Sequence, residues 1–266
     1  MQTNSIIKKL KIAIISTLFL ALTISMCALL SNTANAEGAQ QDNGIISVLD
    51  GLIHLKKDSG EPIEGSDYTY NEVFPTPTLT ILKPEIEISG GDEAAYPGKS
   101  INIIVDTTSV KLNTLELYNP QTSFTISQDC DLYCVGDIQK NRSTFGISNI
   151  NFNRSTTIHG PGRLELNGGK DIQIISKLII ESGALEVYTT SPDNASKYAV
   201  SILKGLTVKS DGALIAVNLR NTESYGLRLR GPLEVEEGGT VFASGKTSAV
   251  LYEGANYFDG FKGSET

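Results

Sequence analysis

Tryptophan is missing from this 266-residue chain, and methionine, histidine and cysteine number only two, two and three. Both methionines (Met1, Met26) and one cysteine (Cys27) fall in the first 36 residues, so the following 230 hold only Cys130 and Cys134. Two cysteines cannot staple a chain of that length, so a buried apolar core must carry its stability. His54 and His159 lie 105 residues apart with no Cys or His partner at metal-ligand spacing, which leaves a zinc centre without ligands. Positive charge is also scarce, with 22 Lys and Arg against 30 Asp and Glu. That balance repels nucleic acid and anionic lipid headgroups and excludes both as main partners. No paired Asp-Asp, Gly-His-Gly, Arg-x-Lys or Gly-x-Ser-x-Gly motif occurs. The chain therefore lacks the signatures of pectin hydrolases and of nucleophile-elbow hydrolases.

The one long apolar run, residues 12–30, follows Lys8, Lys9 and Lys11 and precedes Ser31-Asn32-Thr33-Ala34-Asn35-Ala36. A basic start, an apolar segment and a small-x-small site define an export signal cleaved before Glu37. A run of this length could also span a bilayer as an uncleaved anchor, but the small-residue site at the right distance favours cleavage. Met26 before Cys27 is too bulky for lipid attachment. The long apolar segment and Ala-x-Ala site look bacterial, and Gram-positive more than Gram-negative. Removing three lysines with the leader leaves 19 basic and 30 acidic groups, a formal charge of −11. No membrane insertion of the mature chain is expected.

What the chain does have is a repeat. Phe145-Gly146-Ile147-Ser148-Asn149, Lys170-Asp171-Ile172-Gln173-Ile174, Tyr198-Ala199-Val200-Ser201-Ile202, Tyr225-Gly226-Leu227-Arg228-Leu229 and Ser248-Ala249-Val250-Leu251-Tyr252 align with starts 25, 28, 27 and 23 residues apart. The second position is small or short and the third always aliphatic. Leu178, Leu206 and Leu233, each eight residues after a frame start, open a second alternating strand. A Gly-containing turn and a third short strand follow, as in Ser182-Gly183-Ala184 before Leu185-Glu186-Val187. Three short strands per period make one coil of a triangular solenoid, which buries its inward residues only by stacking. The fold expected is all-β: a right-handed, single-stranded parallel β-helix of about 25-residue coils, with Ile172, Val200, Leu227 and Val250 in one inner column and Ser201 facing out. An antiparallel sandwich gives no reason for a fixed period. Because a solenoid end exposes unpaired edges, residues 37–75 are assigned to an N-terminal cap, 76–255 to the β-helix and 256–266 to a C-terminal tail that either covers the last coil or leads into further chain.

Several segments also resemble a known group. Gly65-Ser66-Asp67-Tyr68-Thr69-Tyr70, Thr78-Leu79-Thr80-Ile81-Leu82-Lys83, Ile86-Glu87-Ile88-Ser89-Gly90 and Ile101-Asn102-Ile103-Ile104-Val105 are similar to the opening of bacterial extracellular, adhesin-like β-helix surface proteins, often labelled carbohydrate-binding-domain proteins. The coils from Phe145 to Tyr252 resemble that group's repeats. The resemblance implies a secreted or cell-surface solenoid that meets extracellular polysaccharide or host surface glycan. It assigns no ligand residue.

Residue chemistry favours a non-catalytic role and implies no cofactor. Arg228 and Arg230 have no calcium-binding carboxylate cluster aligned near them, as a polysaccharide lyase would need. Glu181, Lys209 and Glu236 fall on one outward column, where alternating signs read as a salt ladder rather than a metal site. Aromatic rings are the usual platform for an apolar sugar face. Tyr198 and Tyr225 begin successive frames, Phe145 an earlier one, and Arg228 and Arg230 lie on the outer face beside them. Tyr198, Tyr225, Arg228 and Arg230 are therefore the candidate ligand-binding residues, with an ordinary corner stack as the competing explanation. Cys130-Asp131-Leu132-Tyr133-Cys134 can close a disulfide only through a turn at Asp131-Leu132; otherwise it holds two buried thiols. The Asn-x-Ser triplets at Asn141, Asn153 and Asn194 are silent in a bacterial source. A polysaccharide lyase or hydrolase, or a structural spacer of a larger surface protein, are the alternatives to glycan binding.

Overall fold

The computed structural model describes residues 45–73, 76–90, 100–117, 122–135, 142–147, 149–167, 172–189, 197–220 and 222–253, all in the second of two compact units, Gly44–Thr266. The expected leader (1–36) and tail (256–266), and the triplet residues Asn141 and Asn194, lie outside them. Among the described residues every regular element is a β-strand, and the strands form one nine-stranded and one twelve-stranded sheet.

The nine-stranded sheet is the first face of a solenoid. From Thr78–Ile81 to Ser248–Tyr252 its strands pair in parallel, each with the strand one coil away. Coil spacing runs from 21 residues (Ile103 to Phe124) to 28 (Ile172 to Val200). Period-2 alternation sends one side of every strand inward. The result is an unbroken column from Ile81 through Phe152 and Ile202 to Leu229, with each of these residues at most 1% exposed. Beside it stand Ile172, Val200, Leu227 and Val250, the column expected from the repeat.

The earliest repeat frame is misplaced by the sequence. Phe145 pairs with Leu115 and Leu166 on another face, and the first-face strand of that coil is Asn149–Phe152, with Phe152 opposite Ile174. Phe-Gly-Ile and Asn-Ile-Asn-Phe are both short alternating segments. Period 2 alone cannot say which one continues a given column, and the variable coil length removes the other constraint.

The twelve-stranded sheet folds around a corner to make the second and third faces. Lys177–Thr189 and Gly205–Asn218 each run through both, with a register break between Ile180 and Ser182. Backbones of successive coils approach so closely at this corner that a side chain does not fit. A Cβ on Gly183 would lie 2.4 Å from the Gly162 carbonyl oxygen, and one on Gly212 would lie 2.4 Å from that of Ile180. Gly183 also has φ +73°, in the left-handed region where glycine carries no steric cost. Gly226, at the second position of its frame, is crowded in the same way, although Ala199 at the equivalent position carries a methyl. A Cβ on Gly226 would lie 2.5 Å from the carbonyl oxygen of Ala216, because the first-face strand passes against the third.

Antiparallel pairing occurs only near the N-terminal end of the described chain. Ile45–Val48 pairs with Ile53–Lys57, which pairs with Ile86–Gly90, and Tyr68–Asn71 pairs with Thr78–Ile81. Buried Asp67 fastens this region, accepting hydrogen bonds from Lys57 Nζ and the Ile63 amide, both at 3.0 Å. At the other end, inward-facing Leu233, Val241 and Val250 keep partial exposure, whereas their register partners Leu206, Leu214 and Leu227 are 0% exposed.

Ser201 does not behave as a surface residue. It faces outward by alternation but is 5% exposed, because its register partner Arg228 reaches across to the Tyr198 ring on the Ser201 strand. Gln173, on the same outward column one coil earlier, is exposed. Val200→Asp should therefore abolish folding by placing a charge in the dry column, while Gln173→Glu leaves the thermal unfolding midpoint within a few degrees of wild type. Circular dichroism melts of the two variants check the inward and outward assignment; equal damage from both would refute it.

Candidate functional site

The first face brings the four candidate residues together. Tyr198 and Tyr225 open strands that pair in register, so their rings stand one above the other with centroids 5.7 Å apart and planes tilted by 30°. Alternation then puts Arg228 on the outer surface, where its guanidinium carbon lies 5.0 Å from the Tyr198 ring centroid. That distance is within range for a cation–π contact. Arg230 follows at the end of the strand.

Glu253, which the sequence reading did not single out, organises the two arginines. One of its oxygens, Oε2, accepts from Arg228 Nη2 at 2.7 Å, Arg228 Nε at 3.2 Å and Arg230 Nε at 2.7 Å. These hydrogen bonds and charges hold the Glu253 carboxyl below its ordinary value of 4.5. Repeat spacing contains the signal for it. Leu251 is the register partner of Arg228, so a residue two positions on must stand beside Arg230. A second ion pair flanks the rings: Lys197 Nζ lies 3.1 Å from Glu223 Oε2, and the Tyr225 hydroxyl donates to Glu223 Oε1 at 3.3 Å. Three cations and two anions make the cluster locally positive by one charge on an acidic protein. The backbone of Phe145, the other frame-start aromatic, lies on the third face and not in this cluster.

On the second face, Lys209 pairs with Glu236 at 2.5 Å, and the ladder extends further than sequence spacing indicated. His159 lies 3.2 Å from Asp131 and 3.5 Å from Glu181, with its ring stacked on Tyr133 at 4.8 Å. Nε2 lies near one carboxylate but makes no hydrogen bond, and Nδ1 lies near the other, so the ring does not gather the two acids around one point. Among the described residues no group of three or more His, Cys, Asp or Glu is placed to hold a metal ion. The third face carries two outward glutamates that the sequence reading passed over, Glu165 and Glu186, which are buried, with 6% and 4% exposure. Arg163 and the Tyr188 hydroxyl, both at 3.2 Å, neutralise and fix Glu186.

The turn that a disulfide would need at Asp131-Leu132 is absent. Cys130–Cys134 is a continuous strand with both cysteines buried and free. Four strand steps separate their Cα atoms by about 13 Å, beyond the roughly 7 Å limit for bridging. Burial pushes both thiols up to about 12, Cys130 with help from the Asp131 charge.

Stacked parallel coils define the class: the protein is a parallel β-solenoid. No protein-family model, curated protein or solved structure matches the chain.

Two measurements test these environments. By NMR titration the Glu253 carboxyl should have a midpoint below 4.5, returning toward 4.5 in Arg228→Ala/Arg230→Ala. Any stability it contributes is present above its unfolded value and lost as pH falls through the lower folded one. Cys130 and Cys134 should be inert to an aromatic disulfide reagent at pH 8, where only about one thiol in 10,000 is ionised. Both should react once the chain is unfolded.

Proposed function

We propose that this protein is an exported, non-catalytic β-solenoid that binds extracellular polysaccharide along its first face, with Tyr198, Tyr225, Arg228 and Arg230 as the contact residues. The observation that carries the reading is the pair of tyrosine rings on successive coils with a guanidinium over one of them. Rings offer an apolar platform to a sugar face, and the arginines offer donors to hydroxyls or a carboxylate. Coils repeat at about 4.8 Å, close to the length of one sugar unit, so an extended chain can follow several of them. The local excess of one positive charge, on a protein that is otherwise acidic, favours acidic glycans.

Use of both arginines by Glu253 supports a second reading, a structural spacer in which the same ladder ties the final coils together. Glu253→Gln separates the two. In a binding face it frees the arginines and tightens retention on polygalacturonate; in a spacer it lowers stability without creating binding. Wild type is expected to bind polygalacturonate more strongly than neutral glucan, to bind longer oligomers better than monosaccharide, and to lose its acidic preference in high salt. Tyr225→Ala/Arg228→Ala should lose binding. No release of reducing ends or unsaturated uronates from pectin, xylan or glucan is expected, with or without calcium. Turnover that disappears in Arg228→Ala would instead make the protein a lyase.

A further inference from the structure

We propose that the inner corner between the third and first faces holds an ordered water molecule bound by Thr189 and Asn218. The two residues are register partners at the ends of the long strands. They lie two positions beyond the inward residues Val187 and Ala216, so alternation turns their side chains into the solenoid. Thr189 is 1% and Asn218 4% exposed, and both Thr189 Oγ1 and Asn218 Nδ2 are buried without a hydrogen-bond partner. Unsatisfied buried groups of this kind are costly and uncommon in native proteins, and two in adjacent register positions point to one shared ligand.

Chemistry of the two atoms defines that ligand. Asn218 Oδ1 accepts from the Arg220 amide at 3.1 Å, which fixes the orientation of the carboxamide and leaves Nδ2, a donor, as the free end. The ligand must therefore accept a hydrogen bond there, which excludes a metal cation. It must also donate to or accept from the Thr189 hydroxyl. The two side chains stand on backbones about 4.8 Å apart and make no hydrogen bond to each other. Two bonds of about 2.8 Å meeting at a tetrahedral angle span roughly that gap. Neither atom is reachable from solvent, so nothing larger than water fits the description. Bound there, the water links two successive coils at the last register pair of the long strands.

A crystal structure that resolves ordered solvent, together with Thr189→Val, tests the assignment. Valine keeps the shape of threonine and removes only the hydroxyl. Wild type should show a density peak within hydrogen-bonding distance of both Thr189 Oγ1 and Asn218 Nδ2. Thr189→Val should lack the peak and melt about 2–4 °C lower. If the hydroxyl is simply unpaired, removing it relieves a cost. A Thr189→Val midpoint equal to or above wild type, or a wild-type corner without the peak, would overturn the proposal.

Discussion

No coil of this protein can bury its own inward residues; each depends on the coil before it and the coil after it. Three short strands enclose a narrow interior, and a leucine or isoleucine pointing into it becomes dry only when its equivalents lie directly above and below. This constraint explains why apolar columns run unbroken through the described solenoid. It also explains why the residues of the final described coil keep partial exposure, and why antiparallel strands meet the opening coils. An inward charge would damage three coils at once.

The same stacking governs the surface. A residue's nearest neighbours outside its own strand are its register partners one coil away, so polar chemistry is sorted into vertical columns. Lys209 meets Glu236, His159 meets Glu181, and Tyr198 meets Tyr225. Exposed pairs of this kind add little stability individually. Their consequence is geometric: a solenoid repeats any outward chemistry at a fixed rise, which suits a polymeric ligand better than a compact one. The arginine pair on Glu253 is tied up by its own counter-ion. An acidic ligand of the kind proposed would have to share or displace that carboxylate, which would make Glu253 a determinant of affinity as well as of packing.

Corners impose the second constraint. Where coils turn between the second and third faces, the Gly183 and Gly212 backbones sit against carbonyl oxygens of the preceding coil, and no side chain fits. Where they turn between the third and first faces, the interior changes character, with Thr189 and Asn218 standing in line with Val187 and Ala216. Polar groups inside a dry solenoid are tolerated only with partners, which makes this corner the natural place for internal solvent.

Much of this was legible in the chain itself. The column Ile172–Val200–Leu227–Val250, the glycine turns and the pairing of Tyr198 with Tyr225 follow from a repeat whose period exceeds any single strand, because stacking requires equivalent residues at equivalent positions. Strand-scale alternation was not enough where coil length varied: Phe145 was placed on the wrong face, since two neighbouring segments satisfy the same period-2 rule. Burial of outward residues was invisible for a different reason. Ser201 and Glu186 face away from the core, and their side chains become covered only when Arg228, Arg163 and Tyr188 settle around them. The meeting of Asp131, His159 and Glu181 likewise depends on three different coils coming into register. The sequence by itself determined which residues stack, because inward periodicity is written along the chain. Tertiary structure decided which outward side chains meet where coil length varies or a long side chain crosses its neighbours, as with His159 between Asp131 and Glu181 and Arg228 over Tyr198, because neither is fixed by periodicity.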